Sequence, residues 1–373
     1  MSRRLLYIVN QANYFLSHRL ALAKAAQAAG WEVQVATAAG PDQAKIAAAG
    51  FTTHNLPLSR SGLRLDRELR ALLATWRLLR QVQPDLLHCV ALKAVVLGGL
   101  AAKLAGVPAR VFAVAGLGHV FIDSGLKNRL TRIAFKGLLP LLVSANSRVI
   151  VQNPDDQAHL GISGGVRRRL VLIAGAGVDL ERFQARPEPS GEVAVVLPSR
   201  MIWTKGIGEF VEAACRLRTA GVRARFLLAG DSDPGNPAAI PHEQLTAWTA
   251  DGSVEWLGFQ HDMAALLASC HIVCLPSFYG EGVPKSLIEG AAAGRALVTT
   301  DTPGCRDIVR DGENGLVVTP QDPEALTTAL HRLIEDPALR QRFGKRGREI
   351  AVAEFGLDKV IARTLALYRE LCS

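Results

Sequence analysis

The sequence is poor in the features that mark secreted, zinc-binding or membrane-spanning chains. Its six cysteines, Cys89, Cys215, Cys270, Cys274, Cys305 and Cys372, form no C-x-x-C pair, and Cys270 and Cys274 lie inside an apolar run. That scatter argues against a disulfide framework or a zinc site and fits small core residues in a reducing cytoplasm. No stretch approaches the ~20 apolar residues that cross a bilayer. The basic start MSRRLLYIVN turns polar at NQANY too soon for a signal peptide. Aromatic residues make up only 6% of the chain and no nucleic-acid motif appears, so nucleic acid is not expected as a partner. The segment after the first strand, VNQANYFLSH, lacks the G-x-G-x-x-G that a nucleotide-binding dehydrogenase wants there.

What remains is a large and unevenly charged chain. Its 373 residues are too many for one ordinary domain and about right for two, and 49% hydrophobic content supports sizeable cores. The net charge is +9, but residues 1–186 hold 24 Lys and Arg against 10 Asp and Glu, a surplus of 14. The basic half is expected to face something anionic, and of the three classes that fit, nucleic acid, a membrane surface or a phosphorylated substrate, the first is already disfavoured.

Short apolar runs alternate with helix-forming stretches. RLLYIVN, WEVQVAT, DLLHCV and ARVFAVAG read as strands, with LALAKAAQAAG, residues 66–82 and residues 94–105 as helices. A second series begins near residue 192 with EVAVVLPSR, GIGEFVEAACRLRTAG, ARFLLAGD, VEWLG, HIVCLPS and ALVTT. This alternation predicts an α/β chain of two doubly wound, Rossmann-like domains with parallel sheets. The expected division is residues 1–180 and 181–355, with the polar, proline-bearing segment VDLERFQARPEPSGE as linker. Ligands are expected at the carboxyl ends of the strands, in a cleft between the two.

The stretch SFYGEGVPKSLIE, residues 277–289, follows the strand HIVCLPS. Pro284 suits the first turn of a helix, which leaves Glu281 in the loop and Glu289 inside the helix. Backbone N–H groups around Val283, Lys285 and Ser286, preceded by glycines, make an anion site. Glu281 would repel phosphate there and suits a sugar better, while Glu289 suits two ribose hydroxyls. A solvated helix after a glycine loop would read the same way. Arg200 and Lys205 follow the strand AVVLPS and offer a forked donor and a compact cation; an ordinary loop pair has the same look.

These residues together are familiar. PSFYGEGVPKSLIEGAAAGRALVTTDTPGCRDIVRDGENGLVV and SRMIWTKGIGEFVEAA resemble the signature of glycosyltransferase family 4, retaining enzymes of the GT-B architecture with an E-x7-E motif at Glu281 and Glu289. NQANYFLSHRLALA, AGLGHVF, VQNPDD and GAGVDLERF resemble the bacterial subset that builds O-antigen, capsule or N-glycan precursors on undecaprenyl diphosphate. The resemblance implies a nucleotide-sugar donor as co-substrate, held mainly by the second domain, and no cofactor or metal. Arg200 and Lys205 would neutralise the diphosphate leaving group, and Glu281 would contact the sugar. Glu289 would bind the ribose, the backbone of Val283, Pro284, Lys285 and Ser286 would cradle the distal phosphate, and Gly282 would join them in holding the donor. His119 in AGLGHVF is the positional match to a histidine near the reacting carbon. His18, read as opening the first helix, and His88 and Lys93, read as following the strand DLLHCV at its ligand-facing end, are acceptor candidates. The last helix, in residues 356–373, would cross back to the first domain.

Asp231-Ser232-Asp233 resembles the D-x-D metal signature of a different glycosyltransferase architecture, but it enters a turn-rich loop and suits a turn or cap. The expected reaction moves an N-acetylhexosamine or hexose from a UDP-sugar to a polyprenyl-diphosphate-linked sugar. A GDP-mannose or other donor with a soluble acceptor is the alternative, and a silent binding protein is disfavoured by the intact charged set. GLKNRLTRIAFKGLLPLLV and the arginines 60, 64, 67, 70, 77 and 80 mix cations with apolar residues, as on a helix lying on an anionic bilayer, or on one with a solvated basic face. Cytoplasmic placement, peripheral on the inner face of the membrane, follows from the membrane reading.

Overall fold

In a parallel sheet covered on both faces, every strand residue meets protein, so central strands read as unbroken apolar runs. β4 (Leu86–Val90), β8 (Ala194–Pro198) and β12 (Ala296–Thr300) are buried at every position. The computed structural model describes residues 2–58, 64–114, 116–117, 125–161, 164–233 and 235–373. The chain divides into two units, Met1–Ala176 with Lys359–Ser373, and Gly177–Asp358.

The first unit adds β1 (Arg3–Val9), β2 (Trp31–Thr37), β3 (Thr52–Asn55), β5 (Ala109–Val114), β6 (Ser147–Val151) and β7 (Leu170–Leu172) to β4. Their order is β3-β2-β1-β4-β5-β6-β7, with parallel pairings throughout. Successive residues of β1 serve opposite faces: Leu6 and Ile8 join one core, and Leu5, Tyr7 and Val9 join the other. The helices Leu65–Val82, Leu92–Ala105 and Leu126–Leu142 cover the first face. The final helix, Leu357–Cys372, packs Val360, Leu367 and Tyr368 into the second core.

The second unit orders β9 (Arg225–Ala229), β10 (Glu255–Trp256), β11 (Ile272–Leu275) and β13 (Gly315–Val318) around the other two strands as β10-β9-β8-β11-β12-β13. Both orders are the doubly wound Rossmann arrangement, in which the chain reverses direction across the sheet at the first strand. In the second unit that switch lies between β8 and β11, so the loops leaving these two strands meet at one crevice. The polar segment 178–192 belongs to this unit. Arg295, fully buried, donates to the carbonyls of Cys270 and Arg186, at 3.2 and 2.6 Å. Arg340 pairs with Glu188 at 3.1 Å.

The polar segment after β1 differs from the sequence reading. It is a helix, Ala12–His18, because Phe15 finds ring contacts with Tyr7 and Phe51, at 5.7 and 6.0 Å between centroids.

Candidate functional site

The loop leaving β8 carries Arg200 and Lys205. Met201 and Ile202 pair as bridges with Ser232 and Ala239, so the chain stays extended past the strand. The turn Trp203–Lys205 then closes onto Gly206, with φ +76°. A β-carbon at Gly206 would lie 2.1 Å from the carbonyl oxygen of Pro276, so only glycine lets this turn rest on the end of β11. That contact brings the two loops together. Ser277 Oγ donates to the carbonyl of Thr204 at 3.1 Å, and Phe278 N–H donates to the same oxygen at 3.2 Å.

Lys205 Nζ donates to Glu281 Oε1, which at 3.0 Å is the alternative acceptor for the single Ser277 hydroxyl hydrogen. Both partners of this ion pair are largely shielded, with side chains 14% and 13% exposed. Arg200 is different: its side chain is 55% exposed, and Nη1 pairs with Asp233 Oδ2 at 2.7 Å. The predicted diphosphate cations are therefore a shielded lysine tied to Glu281 and an open arginine tied to Asp233. Asp233, expected to serve a turn or cap, accepts a turn bond from Asn236 N–H through its carbonyl and holds Arg200 through its side chain. The signal was present in the D-x-D string, but the pairing spans 33 residues and no local pattern announces it.

Glu281 and Glu289 separate as the spacing predicts. Pro284 is the N-cap of the helix Lys285–Ala292, so Glu281 stays in the loop and Glu289 sits in the helix. Glu289 is 8% exposed, and burial holds its carboxyl above the ordinary glutamate range, partly opposed by Lys285 and Arg182. Lys285 Nζ lies 3.4 Å from Glu289 Oε1, one helical turn away. Gly282, Val283 and Pro284 are buried, whereas Lys285 and Ser286 are half-buried at the helix start.

A second glycine clamps this loop. Gly304 has φ +84°, and a β-carbon there would fall 1.6 Å from the carbonyl oxygen of Gly282. Thr300 and Thr302 Oγ1 donate to the carbonyl of Ser277. Cys305 lies buried beneath, its thiol pushed up to about 11, chiefly by burial and then by the charge of Glu281. Asp231, Ser232 and Asp233 belong to no group of three potential metal ligands among the described residues.

The first-unit candidates fare differently. His88 does not follow β4 but sits within it, 1% exposed, with Nδ1 hydrogen-bonded to Tyr368 Oη at 2.5 Å. Burial drives its pKa well below the ordinary histidine value, so it is a neutral core residue rather than an acceptor ligand. The reading failed because a buried histidine with a hydroxyl partner looks, in sequence, like one at a strand's end. His18 closes the helix Ala12–His18 instead of opening the first helix, and its ring stacks on Tyr14 at 4.1 Å. Lys93 lies in the first turn of the helix Leu92–Ala105 and pairs with Glu68 at 2.6 Å. His119 lies outside the described residues.

Two family descriptions match the chain: "Glycosyl transferase 4-like" over residues 4–153 and "Glycosyl transferases group 1" over residues 192–336. The chain is 30% identical to the N,N'-diacetylbacillosaminyl-diphospho-undecaprenol alpha-1,3-N-acetylgalactosaminyltransferase of Campylobacter jejuni, covering 78% of each. It is 22% identical to the Escherichia coli UDP-Gal:alpha-D-GlcNAc-diphosphoundecaprenol alpha-1,3-galactosyltransferase, over 85% of this chain and 83% of the other. Among solved structures, Anabaena HepE in complex with UDP superposes with a TM-score of 0.77 at 19% identity, covering 97% and 99% of the two chains. With both halves matched and the two parallel-sheet units in place, the chain belongs to the group 1 and family 4-like glycosyl transferases and is a GT-B hexosyltransferase.

Proposed function

We propose that this enzyme moves an N-acetylhexosamine or hexose, with retention of configuration, from a UDP-sugar to a sugar carried on polyprenyl diphosphate. The names of the Campylobacter jejuni and Escherichia coli relatives support the lipid-linked acceptor, and HepE, solved with UDP, supports the nucleotide. The observation that carries the reading is the shielded Lys205–Glu281 pair at the switch crevice, on the loop that leads to buried Glu289. Lys205 has three N–H donors and gives one to Glu281, so it can bridge that carboxylate and a phosphate.

In this reading Glu289 accepts from the ribose hydroxyls, and its burial makes those bonds strong. Glu281 faces the sugar, and the backbone of residues 282–286 meets the distal phosphate. As the anomeric carbon–phosphate oxygen bond breaks, Arg200 and Lys205 stabilise the charge growing on the diphosphate. The acceptor hydroxyl forms the new bond on the face the diphosphate leaves, and its proton passes to a diphosphate oxygen. No metal takes part. Incubation with UDP- and GDP-sugars, together with a synthetic polyprenyl-diphosphate sugar, tests this by nucleotide release. Acceptor-dependent release of UDP is expected; release of GDP alone, or with a soluble sugar alone, overturns it.

Membrane attachment belongs to the same proposal. On the helix Leu65–Val82, Leu65, Leu69 and Leu73 are 86%, 57% and 42% exposed, at i, i+4 and i+8. The same helix exposes Arg67, Arg70, Arg77 and Arg80. The helix Leu126–Leu142 adds exposed Leu130 and Ile133, and Arg129, Arg132 and Lys136 line a cavity of about 260 Å³ with His159. No described helix is long and apolar enough to cross a membrane. Leucines inserted at headgroup depth with arginines on anionic lipid would hold the enzyme peripherally, on the inner face of the cell membrane.

A further inference from the structure

Arg200 is the more exposed of the two site cations, and a long exposed side chain loses rotamer entropy when it is fixed. The loop that carries its partner is built to spare that cost at the moment of reaction. Ser232 bridges Met201, and its Oγ donates to the carbonyl of Ile240 at 2.8 Å. Met201 N–H donates to Asp231 at 2.9 Å, and Ile240 N–H donates back to Met201 at 3.0 Å. Asn236 N–H closes a turn on the carbonyl of Asp233, also at 2.8 Å. The backbone beside Arg200 and Asp233 is thus tied together by isolated bridges and a turn. The Asp233 side chain is only 13% exposed, so the carboxylate is a seated partner. On the arginine the pairing uses Nη1, and among the described residues Nε and Nη2 meet no acceptor, which leaves the forked edge of the guanidinium open.

We propose that Asp233 is a positioning residue for transfer: it anchors Arg200 through one N–H so that the remaining edge meets the departing diphosphate without reorganisation. This rests on the diphosphate role of Arg200 given above. It places the second carboxylate of the D-x-D string on an arginine rather than on a turn or a metal.

The test is a double-mutant cycle of Arg200→Ala and Asp233→Ala, read by calorimetric affinity for UDP and for uridine, and by kcat once a donor is turned over. Asp233→Ala is expected to weaken UDP about fivefold, leave uridine within about twofold and lower kcat about tenfold. In the Arg200→Ala background the same substitution should change UDP affinity less than about twofold, because the group it acts through is gone. Asp233→Asn, which keeps an acceptor oxygen, should recover part of the loss. Additive losses, equal losses for UDP and uridine, or a wild-type Asp233→Ala protein each overturn the proposal. A protein whose UDP affinity is indifferent to Arg200→Ala fails one step earlier and removes the diphosphate reading. Impairment by Arg200→Ala without impairment by Asp233→Ala removes only this inference.

Discussion

Glu289 joins stability and function in opposite senses. Burial raises its folded-state pKa above the value of 4.5 it has in water. The folded protein then binds more protons than the unfolded chain between those two values, so stability falls as pH rises through that window. Above it, the buried charge is a standing cost. Glu289→Gln removes the charge and keeps the shape, so the nucleotide-free protein is expected to melt at or above the wild-type temperature at pH 8. The same change should weaken UDP about tenfold by loss of charge-assisted bonds. Melting curves with and without UDP check both halves. Lys205→Ala acts at the same scale: it should lower kcat by about 10²-fold or more and leave Glu281 shielded without its cation. Near-normal turnover would refute the leaving-group role. The E-x7-E spacing told these two carboxylates apart in sequence, since one falls before Pro284 and one after it. That Lys205 would bind Glu281, or Arg200 Asp233, was not legible, because each pair joins loops from different strands.

At the scale of elements, the site is two loops pressed together by glycines. Gly304→Ala forces a β-carbon onto the carbonyl of Gly282 at a backbone angle that alanine resists. The loop must shift, and with it the Glu281 carboxylate. Activity is expected to fall at least about tenfold while circular dichroism stays wild type, a pattern of misplacement rather than unfolding. Gly206→Ala should do the same through Pro276. The elements themselves were mostly readable, because central parallel strands are apolar throughout. The edges were not: β3 is TTHN and β7 is LVL, too polar or too short to carry a pattern. The helix Ala12–His18 hid inside a polar string whose one deep anchor is Phe15.

For the whole molecule, the end of the chain stabilises its beginning. Tyr368 bonds His88 and accepts from or donates to Tyr7 O–H at 2.8 Å, all three buried. His88 stays neutral in the fold but would protonate once unfolded below its ordinary value of 6.5. The unfolded chain then binds the extra proton, so stability is expected to fall as pH drops below about 6.5. His88→Gln should flatten that dependence in melting temperatures measured from pH 8 to pH 5. Removing residues 359–373 strips Val360, Leu367 and Tyr368 from the core and should leave insoluble protein. On the membrane side, replacing Leu65, Leu69 and Leu73 together with serine should abolish sedimentation with phosphatidylglycerol vesicles and leave UDP affinity unchanged. Wild-type protein that ignores such vesicles removes the docking surface.

The sequence by itself determined the two parallel-sheet units and the family. Apolar period, helix punctuation and the E-x7-E string are local properties, readable along the chain. Tertiary structure decided which carboxylate holds which cation, which glycines press the loops together, and that His88 belongs to a core. Those outcomes depend on burial and on partners tens to hundreds of residues away, and burial reverses what a titratable side chain does.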